Sequence, residues 1–195
     1  MIDESKNLVV EYLTAYVRTT AHFHFEESKP LQRYMNIQDY VLDNGKTQVV
    51  SEPLSDQEYE ALMGCIDRVG IRFEMRQCFH NSQLACIYSK PGPNQLKYTE
   101  GFAIGRSGFP THHAWLTVNG KVIDLTWRTK HQNHKGRLRD RIFGVIPDGW
   151  YYMGVDFPTK DVVSRCAETE ETRAFLGDWT RSYPYLCQPR RTANP

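Results

Sequence analysis

The stretch that most constrains the fold is Ala114-Trp115-Leu116-Thr117-Val118, then Asn119-Gly120, then Lys121-Val122-Ile123-Asp124-Leu125-Thr126-Trp127. Asn-Gly between two runs rich in β-branched and aromatic residues specifies a two-residue primed turn, and hence an antiparallel hairpin of fixed register. Val118 then pairs with Lys121, Trp115 with Asp124 and His113 with Thr126. Paired residues share a face, and successive residues alternate between faces. One face carries Ala114, Leu116, Val118, Ile123 and Leu125, broken by Lys121 near the turn; it is the core side. The other carries His113, Trp115, Thr117, Val122, Asp124 and Thr126. His113 and Asp124 sit diagonally on it, about 7–8 Å apart at the backbone, so the carboxylate can reach the imidazole N–H. Asp is depleted in strand interiors, so its place between Ile123 and Leu125 marks it as partnered. The competing reading is a His that ends a strand beside a solvated Asp.

A His–carboxylate pair becomes chemically useful with a nucleophile, because the carboxylate orients the imidazole and the imidazole activates a thiol or hydroxyl. Cys78 is the best placed of the five cysteines. It opens a helix expected over about 78–88, where backbone N–H groups and the helix dipole favour a thiolate. The next turns on its face bear Asn81, Ser82 and Ala85, small enough for a sheet to approach. Cys65 and Cys86 fall inside helices, Cys166 in the last helix and Cys187 in the tail. An odd, widely spaced set without C-x-x-C argues against a disulfide framework or a four-cysteine zinc site, and agrees with a reducing compartment.

The remaining elements are a helix over about 5–19, a turn at Asp43-Asn44-Gly45-Lys46 and a short strand at 47–50. Then come a helix from Ser55 with a Ser55/Glu58 capping box, a strand over 96–104, an aromatic-rich strand over 150–157 and a helix over about 160–178. The segment 22–40 carries no clear periodicity. With 195 residues, the chain reads as one domain: a core of about 55–158, a helical N-terminal segment over 1–54, and a C-terminal helix and tail over 159–195. At 40% apolar and 24% charged residues it is neither disordered nor fibrous. The longest run without Asp, Glu, Lys or Arg, 107–120, is shorter than the ~18 residues of a membrane span. The acidic start Met1-Ile2-Asp3-Glu4 does not suit a secretory signal, so a cytoplasmic location is expected.

The order Cys, His, Asp, with His113-Ala114-Trp115 opening a strand and Val122-Ile123-Asp124-Leu125-Thr126 following, resembles the transglutaminase-like superfamily of papain-like cysteine enzymes. The strand Tyr98-Thr99-Glu100-Gly101-Phe102-Ala103 is also similar to one found in several members. The likeness covers roughly 77–127. It implies an α+β papain-like/transglutaminase-like fold, with a central helix bearing the Cys packed on an antiparallel sheet bearing His and Asp. It also implies Cys78 as nucleophile, His113 as general base and then acid, and Asp124 as the orienting carboxylate. Gln77 is a candidate secondary donor at the oxyanion hole; Trp115, Arg137 and Arg139 are candidate substrate contacts. The implied enzyme forms an acyl-enzyme on Cys78 and passes the acyl group to water, as a peptidase, amidase or deamidase, or to an amine. Its expected substrate is a protein or peptide amide.

Residues 128–141 hold six Lys/Arg and one acid. This run suits a solvated loop, or a surface for an acidic partner or nucleic acid. It supports a second functional reading, in which an inert transglutaminase-like module binds a protein or nucleic acid through the loop. His22-Phe23-His24 and His131-x-x-His134 lack an acid or thiol to complete a metal site. No phosphate-cradling glycine motif occurs, so neither metal nor cofactor is expected.

Overall fold

The computed structural model describes residues 7–21, 33–71, 76–105, 107–127 and 143–189. Helix α1 (Leu8–Ala21) begins after Asn7 rather than at Ser5, because the Asn7 side chain accepts the Val9 N–H at 3.0 Å and caps the first turn. Helix α2 (Ile37–Asn44) takes in the first two residues of the turn expected at 43–46, and Gly45 then ends it and leads into the sheet. Its signal is local: Asn36 Oδ1 accepts the Asp39 N–H at 2.8 Å while Asp39 Oδ2 accepts the Met35 N–H at 2.9 Å. Strand β1 (Lys46–Thr47) follows. Helix α3 (Asp56–Val69) starts with the full capping box of Ser55 and Glu58, and helix α4 spans Cys78–Ile87.

The sheet continues with β2 (Lys97–Ile104), β3 (Pro110–Val118), β4 (Lys121–Ile123) and β5 (Tyr151–Phe157) in the order β1-β5-β2-β3-β4, every named pairing antiparallel. Val50 forms an isolated bridge to Lys121, so the segment leaving β1 at one edge meets β4 at the other and the sheet curls. Helix α5 (Thr159–Thr169) is shorter than the 160–178 expected. Glu170 takes a left-handed backbone, φ 56°, and the chain turns to deliver Phe175 and Leu176 to the core.

The hairpin register is Val118 with Lys121, Thr117 with Val122 and Leu116 with Ile123, as the Asn-Gly turn dictates. The two sides of the sheet are not core and solvent, however: both are buried. Helices α1, α2, α4 and α5 pack on the sheet, and the larger apolar core runs from Val9 and Leu13 through Tyr98, Phe102, Ala114 and Leu116 to Leu176. A second, aromatic cluster of Ala103, Trp115, Val122, Ile146, Trp150 and Tyr152 covers the face expected to be open.

Lys121, the one charge on the core face of the hairpin, is neutralised in place. Its Nζ lies 2.9 Å from Glu58, 3.0 Å from Glu52 and 3.1 Å from the Pro53 carbonyl, so the hairpin tip is tied to the start of α3. Among the described residues, no helix is long and apolar enough to cross a membrane.

Candidate active site

Asp124 ends the second hairpin strand. Its Oδ1 accepts the backbone N–H groups of Thr126 and Trp127, both at 2.9 Å. An Asp side chain that captures amides two and three residues ahead competes with the strand ladder, so β4 stops at Ile123 and not at Trp127. The same turn points Oδ2 at His113 Nε2, 2.8 Å away, and at the Tyr152 hydroxyl, 3.0 Å away. A buried carboxylate needs its lone pairs filled, and this one receives four donors.

His113 lies between two indoles. Trp127 stacks on it at 4.3 Å between centroids, tilted by 17°, and Trp115 lies beyond at 6.2 Å. Glycines make the room. His113 registers with Gly101, and Gly101 with Gly154. A Cβ on Gly154 would come within 2.7 Å of the Trp115 ring, and one on Gly105 within 2.9 Å of Trp127.

Helix α4 packs on β3 and β2 through Asn81, Ser82 and Ala85, all buried. This brings Cys78 to the imidazole. Nε2 is committed to Asp124, and Cys78 stands close enough to the same ring to help hold its charge. No acidic residue occupies the first turn of α4 and no side chain caps it, so nothing competes with sulfur for the positive end of the helix. Arg76, two residues upstream, has a left-handed φ of 69°, strain of the kind often held at functional sites.

Burial opposes charge on His113. The Asp124 charge and hydrogen bond, followed by the Cys78 hydrogen bond and charge, outweigh it and raise the imidazole to about 9. Burial likewise opposes charge on Asp124, but His113 and the Trp127 and Thr126 amides bring its carboxyl below the usual range. At neutral pH the ring is therefore a buried imidazolium on a carboxylate, with the sulfur beside it. Cys78 is 8% exposed, against 2% for His113 and 1% for Asp124, so the thiol is the most accessible member of the set.

The other cysteines stand elsewhere. Burial pushes the thiols of Cys65, Cys86 and Cys166 up, and these contact the Tyr88 carbonyl, Thr159 and Gln83 respectively. Gln77 is exposed and makes no capping bond with its side chain. Trp115 is wholly buried against Tyr152 and His113, so it supports the ring and does not reach solvent as a substrate contact would. Arg137 and Arg139, with the whole basic run 128–141, lie outside the described residues, as do His22, His24, His131 and His134. No group of acids, thiols and imidazoles suited to a metal ion occurs among the described residues.

Three features of the site have no local signal in the sequence. Tyr152 anchors Asp124 from β5. Trp127 covers the imidazole. A second pair, His112 Nε2 to Glu100 Oε1 at 2.9 Å, forms next to the first. Glu100 is fully buried and also accepts from the Tyr98 hydroxyl and from the Phe175 and Leu176 amides, which is what pulls residues 170–178 onto the sheet. A fully satisfied carboxylate of this kind reads as a structural clamp. No family model, curated protein or solved structure matches the chain.

Proposed function

We propose that this chain is a transglutaminase-like thiol enzyme that forms an acyl-enzyme on Cys78 and then transfers the acyl group to water or to an amine. The observation that carries the reading is the buried His113–Asp124 bond of 2.8 Å with Cys78 beside the ring at the start of α4, the imidazole being raised to about 9 by its two neighbours. In this reading the proton on the His113 ring is the one the thiol has given up, and the sulfur attacks an amide carbonyl. The Cys78 backbone N–H at the start of α4 faces the developing oxyanion. His113 then gives its proton to the departing amine, and the acyl group stays on sulfur as a thioester. A water or amine, deprotonated by the now neutral ring, attacks the thioester and returns the thiol. Water needs no second binding site, so amide hydrolysis is the simpler outcome. Asp124 and Tyr152 hold the ring in the tautomer that each step requires.

The test is the reactivity of individual thiols. Iodoacetamide at pH 6–7, with the labelled positions read by mass spectrometry, should modify Cys78 at least about tenfold faster than the other cysteines. It should lose that advantage in His113→Ala. Equal labelling of Cys78 and the half-buried Cys187 would overturn the proposal.

A further inference from the structure

Trp127 meets the His113 ring face to face, at 4.3 Å between centroids and 17° between planes. Its seat is built from three sides. The Trp127 backbone N–H is bonded to Asp124 Oδ1 at 2.9 Å, while Oδ2 of the same carboxylate holds His113. One side chain thus fixes the imidazole and turns the chain back so that the indole covers it. Trp150 abuts the indole edge-on, at 5.6 Å and 82°. Gly105 leaves the room: a Cβ there would come within 2.9 Å of Cζ3 and 3.0 Å of Cε3, atoms of a rigid ring that cannot fold away. Gly105 is not one of the glycines with a left-handed backbone, so close approach of the indole is what calls for glycine at this position.

The ring under the indole is buried, so water does little to share its charge. Few polar groups face it. Asp124, from the turn after β4, takes Nε2; Tyr152, from β5, bonds that carboxylate; Cys78, at the start of α4, stands beside the ring. On β2 the residue in register with His113 is Gly101, and the neighbouring His112 and Glu100 are paired with each other. The bond from Nε2 to Asp124 lies in the plane of the imidazole and leaves its faces to other contacts. An aliphatic wall would exclude water from a face and give the charge nothing in return. An indole presents the negative face of its quadrupole, and tryptophan is the strongest of the side chains that hold a cation in this way. The separation of 4.3 Å lies well inside the range of about 6 Å over which that attraction acts.

We infer that Trp127 is a positioning residue that holds the charged form of His113 through a cation–π contact, on the ring face, while Asp124 holds it at the ring edge. The use of this contact in catalysis rests on the thiol-enzyme reading. The contact itself does not, because it is read on the imidazole and not on the sulfur. Shape alone cannot stand in for it: an indole of the same outline with less electron density on its face fills the seat and loses the attraction.

The experiment uses that difference. Tryptophans bearing one, two and four ring fluorines are incorporated at position 127 alone, in the full chain, and the His113 ring-proton signals are followed by NMR across their titration. Fluorine draws density off the π face and barely alters the packing against Gly105 and Trp150. The His113 midpoint should fall in the order of fluorine content, by about one pH unit with four. The same residues at position 150, where the ring meets Trp127 and not the imidazole, should leave the midpoint in place. A midpoint that does not move with fluorination at 127, or that moves as far from 150, would overturn the inference. Labelling of Cys78 by iodoacetamide in the same samples separates the two readings. A midpoint that falls in a protein whose Cys78 proves unreactive keeps the contact and removes the thiol chemistry; a reactive Cys78 with an unmoved midpoint does the reverse.

Discussion

Tyr152 donates its hydroxyl proton to Asp124 Oδ2 at 3.0 Å, on the oxygen that also holds His113 Nε2. The carboxylate sits in a turn beyond the end of β4, where the ladder no longer fixes it. Strand β5 supplies the missing constraint from across the sheet. The phenol is itself fixed by the edge of Trp115, 5.1 Å between centroids, so one packed aromatic unit sets the tyrosine, the carboxylate and the imidazole.

Tyr152→Phe keeps that packing and removes the donor alone. Hydrogen bonds to charged groups contribute about 1.5–3 kcal/mol, so urea unfolding should show a loss in that range. Alkylation of Cys78 should slow as well, because the ring is less firmly aimed. An unchanged midpoint and an unchanged rate together would mean that His113 and the two backbone amides position Asp124 unaided.

Cys78→Ala should abolish amide hydrolysis and acyl transfer while the chain remains folded. The thiol lies at a helix entrance, and the neighbours that hold α4 against the sheet, Asn81, Ser82 and Ala85, are untouched. Activity on a peptide amide that survives in the folded variant would remove Cys78 from the mechanism.

Asp124→Asn should preserve the fold and lower turnover by roughly 10³–10⁴, since an amide can hold the imidazole in the wrong tautomer. The imidazole itself provides an independent readout. His113 titrates at about 9 in the fold and near 6.5 when unfolded, so its pairing stabilises the protein fully below 6.5. That contribution is lost as pH rises through about 9. With Asp124 neutralised, burial dominates and the His113 midpoint should fall by several units, visible in its ring-proton shifts. A midpoint that stays near 9 in the variant would assign the shift to Cys78 instead.

The hairpin register and the His113–Asp124 pairing were legible in the sequence because their rules are local. Asn119-Gly120 fixes the register, and alternation then puts His113 and Asp124 on one face. Cys78 could be placed because the helix expected over about 78–88 is the one found, α4 at Cys78–Ile87. What stayed hidden depends on partners far along the chain. The Tyr152–Asp124 bond spans 28 residues, and Glu100 recruits Phe175 and Leu176 from 75 and 76 residues away. No periodicity encodes such contacts. Alternation puts Trp115 on the face of His113 without saying what covers that face, and Tyr152 and Trp150 cover it. The early end of β4 was legible in principle, since Asp followed by Leu-Thr-Trp permits a side-chain turn, but the β-branched pattern outweighed it.

The remaining prediction concerns the tip of the same hairpin. Glu58 Oε2 accepts the Ser55 amide at 2.7 Å and Lys121 Nζ at 2.9 Å, and Oε1 accepts the Asn119 amide at 2.8 Å. Burial opposes the charge, but Lys121, then Asn119 and the Ser55 amide, hold the carboxyl down at about 2. Because the folded value lies below the ordinary 4.5, the stabilisation is present above about 4.5 and is lost as pH falls towards 2. Lys121→Met should therefore cost about 3–5 kcal/mol at neutral pH, as a buried carboxylate loses its cation. The variant should also show a shallower decline of stability between pH 4.5 and 2, since Glu58 no longer releases its proton so readily on folding. Adding Glu58→Gln should recover part of the loss, because the amide oxygen can still accept the Ser55 N–H while no unpaired charge stays buried. Chemical unfolding of the three proteins at pH 7 and pH 3 separates the cases. If Lys121→Met proved as stable as the parent at pH 7, the hairpin tip would be held by the Asn119–Glu58 bond and the sheet ladder alone.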